Sequence, residues 1–195
     1  MKRKAATSPI TEKERIFFHH PDAVSRLTLK IENLIPKNTY QPIVVLCIGT
    51  DRSTGDSLGP LVGTKLEEQG ANHFYIYGTL KYPIHAVNLE ETLETIYYTY
   101  SNPFIIAVDA CLGLMKNIGS IVVSKGSLKP GAGVNKKLPE VGDIHITGIV
   151  NVGGFMEYFV LQNTRLHLVM SMADVIGSSL SNVSANISNM RFKRI

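Results

Sequence analysis

The sequence predicts an α/β fold, a three-layer sandwich in which helices flank a largely parallel central sheet. Residues 42–49 (PIVVLCIG) and 103–109 (PFIIAVD) are continuous apolar runs rich in β-branched side chains. Such runs are typical of central parallel strands, which are buried on both faces. Between them lie segments whose apolar residues recur at helical spacing. This alternation over 195 residues favours one domain built on a parallel sheet.

The element boundaries follow from apolar spacing and from breaker residues. The predicted helices cover residues 22–34, 58–70, 88–100 and most of 155–187, and further strands are predicted at 73–80, 119–124 and 144–150. Pro36 stops the first helix and Gly70 closes the second. Asn88, with Glu91 three residues later, predicts a capping box at the start of the third helix.

The two ends of the chain carry much of its net charge of +4, in the stretches MKRK and RFKRI. We expect a disordered basic tail over residues 1–20, an α/β domain over 21–187 and a basic tail over 188–195. Basic and aromatic residues do not interleave as in single-strand binding proteins. Nucleic acid is therefore not expected as a partner.

No apolar run in the sequence reaches the length of a membrane span, and residues 1–15 lack the apolar run of a signal peptide. A cytoplasmic protein without a membrane partner is expected. The two cysteines, Cys47 and Cys111, are expected to be reduced. The sequence contains no C-x-x-C pair and no H-x3-H pair, so a closed structural zinc site is not expected.

The glycine-rich loop after the first apolar strand does not fit a phosphate-binding loop. Five residues separate Gly49 from Gly55, where a P-loop has four, and Asp56 occupies the position of its lysine. A carboxylate there would repel phosphate.

The same loop contains the string Gly-Asp-Ser-Leu-Gly, which fits the G-x-S-x-G pattern of a serine hydrolase. Ser57 lies eight residues after the end of the strand at Gly49, whereas a nucleophile elbow joins strand and helix directly. The sequence also lacks the D-x-x-H pair of GDSL-type hydrolases. We therefore favour Ser57 as a helix N-cap over Ser57 as a nucleophile.

Two interpretations of the acidic residues remain open. Asp56, Asp109 and His145 could bind a divalent metal ion, although His145 lies in an apolar strand and is better explained as a core or half-exposed residue. Alternatively, the two acids form a pair: Asp56 ends the loop after one strand and begins a helix, and Asp109 ends another strand of the same sheet. If those strands are neighbours, the carboxyl groups can share a site and a proton. We favour the acid pair, with no metal or cofactor.

The motifs VVLCIGTDRSTGDSLGPLVGTKL, IIAVDACLG and GSLKPGAGVNKKLPEVGDIHITGIVNVGGFMEY occur in order over residues 44–158. Together they resemble the YyaC-type sporulation proteins, described as spore proteases. More distantly, the sequence resembles the germination protease of spore-forming bacteria and the hydrogenase maturation proteases. That resemblance implies a phosphorylase/hydrolase-like fold.

The resemblance to the germination protease also implies catalytic aspartates at Asp56 and Asp109. Substrate contacts are implied for Lys136 or Lys137, and close backbone approach to substrate is expected at Gly49, Gly55 and Gly59. The maturation proteases add a histidine that completes a nickel site, and no clear equivalent of it is found in this sequence.

The function expected is that of a sporulation-associated endopeptidase, in the cytoplasm of the sporulating cell or in the spore core. Its expected partner is a protein or peptide substrate, and self-association into a homo-oligomer is left open. The alternatives are a non-catalytic peptide-binding or regulatory protein and a metal-sensing maturation-type protease. In the peptidase, Asp56 is expected to be the general base, because a helix N-terminus favours its anion. Asp109 is expected to keep the proton, because burial favours the neutral acid.

Overall fold

The computed structural model describes residues 15–36, 41–130 and 138–192, and within them six strands form one sheet in the order β1-β5-β6-β4-β2-β3. The strands are β1 (Ile16–Phe17), β2 (Ile43–Cys47), β3 (Phe74–Tyr77), β4 (Phe104–Gly113), β5 (Ser120–Lys125) and β6 (Ile144–Val152). The helices are α1 (Ala23–Leu34), α2 (Leu58–Glu68), α3 (Leu89–Thr99), α4 (Glu157–Gln162) and α5 (Leu166–Phe192).

The sheet is largely parallel, as predicted. The neighbouring pairs β3–β2, β2–β4 and β4–β6 are parallel, whereas β5 runs antiparallel to both β6 and β1. The central strands are the continuous apolar runs of the sequence, because only such runs can be buried on both faces. All five residues of β2 are buried.

The side chains of the central strands alternate between two apolar clusters, which define the three layers. On one face, Val45 and Ile106 pack with residues of α1, α2 and α5. On the other face, Val44 and Ile105 pack with residues of α3 and with Leu128, which follows β5. The predicted three-layer sandwich is therefore confirmed.

The predicted tails are too long at both ends of the chain. Ile16 and Phe17 form the edge strand β1, and the Ile16 side chain is fully buried. The Phe18 N–H donates to the Gly119 carbonyl at 3.0 Å. At the other end, α5 continues to Phe192, past the predicted start of a tail at residue 188.

The capping box predicted at α3 is not formed, although the helix begins where expected. Asn88 occupies the N-cap position without a side-chain bond to the helix. Its Oδ1 accepts from the His85 N–H at 2.8 Å, and its Nδ2 donates to the Pro83 carbonyl at 3.1 Å. The side chain therefore stabilises the turn that precedes the helix.

None of the helices in the described ranges combines the length and the apolar character needed to cross a membrane.

Candidate functional site

Asp109 lies where β4 extends beyond its neighbour β2. The last pair between the two strands joins Cys47 to Val108, and the Ile48 N–H donates to the Val108 carbonyl at 2.7 Å. The predicted end of β4 at Asp109 is wrong, because the strand continues to Gly113. Asp109 still lies at the carboxyl end of a strand, that of β2, and it pairs on its other side with Thr147 of β6.

Asp56 reaches the same end of β2 through the loop that follows this strand. The loop folds back, so that the Thr50 N–H donates to the Asp56 carbonyl at 3.1 Å. Asp56 is therefore hydrogen-bonded to Thr50, and the residue before Asp109 is hydrogen-bonded to Ile48. Ile48 and Thr50 lie two positions apart in the chain. The two strands are neighbours, which was the condition for a shared site, and this brings the backbones of both acids to one end of β2.

The three glycines predicted to contact substrate pack against the protein itself. Gly49 has φ of 145°, and a Cβ there would lie 1.9 Å from the Asp56 carbonyl oxygen. A Cβ on Gly59 would lie 2.1 Å from the Ile48 carbonyl oxygen, and one on Gly55 would lie 2.7 Å from Leu161 Cδ2. These glycines are needed for close packing of the loop, and the substrate contact stays a prediction.

The electrostatic environment of Asp56 differs from the one expected from its place before a helix. Burial raises the pKa of the Asp56 carboxyl above its ordinary value. The hydroxyl of the buried Ser53 lies beside this carboxyl and lowers its pKa, which partly offsets the rise. The contact is a weak one, since the hydroxyl makes no well-formed hydrogen bond with the described residues. Desolvation is therefore the larger influence on the pKa of this carboxyl, and it acts in the direction opposite to the one expected from a helix N-terminus.

Asp109 belongs to a polar cluster on the α3 face of the sheet. Ala110 and Leu112 pack on the opposite face, so strand alternation puts Asp109 and Cys111 on the α3 face. Burial, and then the charge of Asp109, raise the pKa of the Cys111 thiol to about 11, while a Thr147 hydrogen bond and the charge of Arg15 oppose that rise. Arg15, Asp109 and Thr147 therefore all act on one thiol.

Arg15 was not identified from the sequence, since it falls within the predicted tail. Arg15 directly precedes β1. The register of β1 with β5 places Arg15 opposite Val122, and Val122 in turn pairs with Thr147 of β6. Its Nη1 is buried and makes no hydrogen bond with the described residues. The apolar run Ile16–Phe18 directly after it was the available signal for a strand.

Ser57 occupies the predicted N-cap position of α2, but its side chain does not cap the helix. The Ser57 hydroxyl is buried and donates to the Thr54 carbonyl at 2.7 Å. A nucleophilic serine needs its hydroxyl proton aimed at a base. A hydroxyl that donates to a backbone carbonyl does not support that role.

His145 is half-buried in β6. Its Nδ1 donates to the Gly126 carbonyl at 2.8 Å, on the turn after β5. The described residues contain no group of three or more His, Cys, Asp or Glu side chains that could hold a metal ion. His145 and the two acids therefore do not form the donor set of a metal site in the described structure.

Lys136 and Lys137, predicted to contact substrate, lie outside the described residues.

The chain has relatives in sequence and in structure. The family described as "Protein of unknown function (DUF1256)" matches residues 15–179. The chain is 54% identical over 183 residues to the "Uncharacterized protein YyaC" of Bacillus subtilis (strain 168), covering 93% of this chain and 89% of that protein. Its fold is similar to that of the [NiFe] hydrogenase maturation protease HycI from Thermococcus kodakarensis KOD1. That likeness has a TM-score of 0.53 and covers 80% of this chain and 99% of the other, at 15% identity, so it concerns the fold alone.

Proposed function

We infer that this chain, which belongs to the family described as "Protein of unknown function (DUF1256)", is a peptidase that uses Asp56 and Asp109 to activate water. The observation that supports this proposal is that the backbones of the two acids lie at one end of β2, where Thr50 is hydrogen-bonded to Asp56 and Ile48 to the residue before Asp109. In open α/β sheets, sites form beyond the carboxyl ends of the strands. The fold shared with a hydrogenase maturation protease is compatible with peptide hydrolysis.

In the proposed reaction, a water oxygen attacks the scissile carbonyl carbon while its proton passes to the Asp56 carboxylate. A raised pKa makes that carboxylate a stronger base than an ordinary aspartate, so Asp56 keeps the base role for a different reason than the sequence suggested. Asp109, carrying the proton, would hydrogen-bond to the carbonyl oxygen. The C–N bond then breaks, and the leaving amine takes up the proton held by Asp56.

Arg15 supplies a further element of this proposal. The buried Nη1 offers an N–H donor without a protein partner among the described residues, in the cluster that also contains Asp109. A donor held in a site of low dielectric stabilises negative charge that develops on a carbonyl oxygen. We assign Arg15 to the stabilisation of that oxyanion.

The resemblance to the YyaC-type sporulation proteins and to the germination protease supports a narrower proposal. The substrate would be a protein of the sporulating cell or the spore core, and the enzyme would act in that cytoplasm. The 54% identity with YyaC supports the relationship.

The proposed function is tested by incubating the purified full-length chain with extract of sporulating cells across a range of pH, followed by mass spectrometry of new peptide ends. We expect cleavage by the wild type and a loss of about a hundredfold or more for Asp56→Asn and for Asp109→Asn, because removal of a general base or acid typically costs that much. Asp51→Asn is the matched control, since Asp51 is an exposed acid of the same loop.

Wild-type turnover by either variant would contradict the shared-acid mechanism. Ser57→Ala should retain cleavage and lose about 1 kcal/mol of stability, because it removes one hydrogen bond to a backbone carbonyl. A folded Ser57→Ala protein without activity would instead support the serine mechanism. Peptide binding without cleavage by the wild type would support a non-catalytic binding protein.

A further inference from the structure

A cavity of about 690 Å³ lies along the outer edge of β3. The described residues that line it do not include Asp56 or Asp109. Its floor comes from Ile76 and Tyr77 of the strand and from Gly78 and Thr79 directly after it. One wall contains Glu67 of α2, which covers one face of the sheet, and the other contains residues of α3, which covers the opposite face. The cavity therefore straddles the edge of the sheet.

The edge of β3 offers main-chain hydrogen bonds to a ligand. This strand is the last of the sheet and pairs only with β2 in the described part of the chain. An edge strand presents unpaired N–H and C=O groups that an extended peptide can bind as an additional strand. The cavity volume lies within the range typical of ligand sites.

The charge of the groove opposes that of the chain. Glu67 and Glu91 are both exposed, and they line opposite walls of the groove. Lys81 and His85 are the basic residues of the lining, and the Lys81 Nζ lies 5.0 Å from the centroid of the Tyr82 ring. The chain as a whole has a net charge of +4. The two carboxylates on opposite walls of the groove therefore give this part of the surface a charge opposite in sign to that of the chain. They favour a ligand with basic side chains.

The groove is joined to the candidate site through its inner wall. Ile84 lines the groove, and its carbonyl accepts from the Gly49 N–H at 2.7 Å. Gly49 in turn packs against the Asp56 carbonyl. A strand of about six residues, roughly 20 Å long, would cover the floor of the groove and extend toward the loop that holds Asp56.

We propose that this groove binds an extended, basic peptide segment, which adds as a strand to the open edge of β3 between Glu67 and Glu91. The proposal names the substrate class of the peptidase inferred above and rests on it to that extent. Binding itself does not depend on turnover, so the two proposals can fail separately.

The test measures binding of a fluorescein-labelled peptide of about eight residues, alternating Lys and Val, to the Asp56→Asn protein by fluorescence anisotropy. We expect the double variant Glu67→Lys/Glu91→Lys to bind about tenfold more weakly or worse, because like charges then face the peptide. The matched control is Glu68→Lys/Glu94→Lys, which makes the same charge change on the same two helices outside the groove. The control should weaken binding by less than about twofold.

N-methylation of the peptide distinguishes strand addition from simple charge attraction. Methyl groups on the alternate amides that face β3 should abolish binding, whereas methyl groups on the other amides should leave it. The proposal would be overturned if both charge variants lost peptide affinity equally. It would also be overturned if N-methylation along neither edge of the peptide changed binding. A dimer of the chain that the peptide does not disrupt, and that the Glu67→Lys/Glu91→Lys change abolishes, would assign the edge to a second copy and overturn it as well.

The outcomes separate this proposal from the proposed function. Peptide binding without cleavage by the wild type would leave the groove assignment standing and reject the peptidase. Cleavage that is lost in Asp56→Asn but unchanged by Glu67→Lys/Glu91→Lys, with no peptide binding, would leave the peptidase standing and reject the groove.

Discussion

Asp56 is an acid held where solvation is poor, and this has a consequence for stability that can be measured. Because burial raises its folded-state pKa above the ordinary 3.8, the folded protein binds this proton more tightly than the unfolded chain does. The stability gained from this tighter proton binding is fully present below pH 3.8, and it is lost as the pH rises through the folded-state pKa. At neutral pH, Asp56 therefore makes the fold less stable than an uncharged, non-titrating side chain at the same position would.

We expect Asp56→Asn to increase the free energy of unfolding at neutral pH, with a gain that disappears below pH 3.8. Urea unfolding followed by circular dichroism between about pH 3.5 and about pH 8 would measure this difference. Asp51→Asn is the control, because it removes an exposed acid from the same loop. An Asp56→Asn protein that is less stable than the wild type at neutral pH would contradict the desolvation argument.

At the scale of elements, the short strand β1 contributes more than its two residues suggest. It closes one edge of the sheet against β5, directs Arg15 toward the row that contains Thr147 and Asp109, and buries Ile16 completely. The family match begins at residue 15, so it includes this strand and the arginine before it. The segment is part of the packed fold.

We expect Ile16→Ala to cost about 2–5 kcal/mol of stability, because it leaves a cavity in the core beside α1. Leu29→Ala, at a side chain that is 59% exposed, should change the free energy of unfolding by less than about 0.5 kcal/mol. Chemical denaturation of both variants would test this. Similar small effects would show that β1 is not required for the core.

At the scale of the whole molecule, stability should decrease from the centre of the sheet to its edges. The strand β4 lies between β2 and β6, and its first five residues are buried, whereas β1 and β3 each have one strand neighbour among the described strands. Amide groups open with free energies that depend on local packing and on hydrogen bonding.

Hydrogen exchange read by mass spectrometry should therefore show the slowest exchange in residues 104–108, with faster exchange in β3 and in β1. If the edge groove binds a peptide strand, saturating peptide should slow exchange in β3 and leave β1 unchanged. Exchange in β4 that is as fast as in β1 would contradict the layered core described above.

Much of the fold could be predicted because it depends on local pattern. The first helix was expected from Asp22 to Leu34 and runs from Ala23 to Leu34, since its apolar spacing, and Pro36 after it, act within a few residues. β1 was missed because its two residues form a strand only by pairing with Ile121 and Ser120, far along the chain. An apolar run of three residues, Ile16–Phe18, is too short to show a periodic pattern.

The sequence by itself determined the class of fold, the continuous apolar runs of the central strands and the two acids that follow those runs. Burial on both faces demands apolar runs, and an acid after such a run stands out. Only the tertiary structure decided that β2 and β4 are neighbours, that Arg15 joins Asp109, that burial raises the pKa of Asp56 and that β3 leaves an open acidic edge. Each of these depends on contacts between residues distant in the chain. Loop-closure and packing energies select such contacts, and local spacing does not encode them.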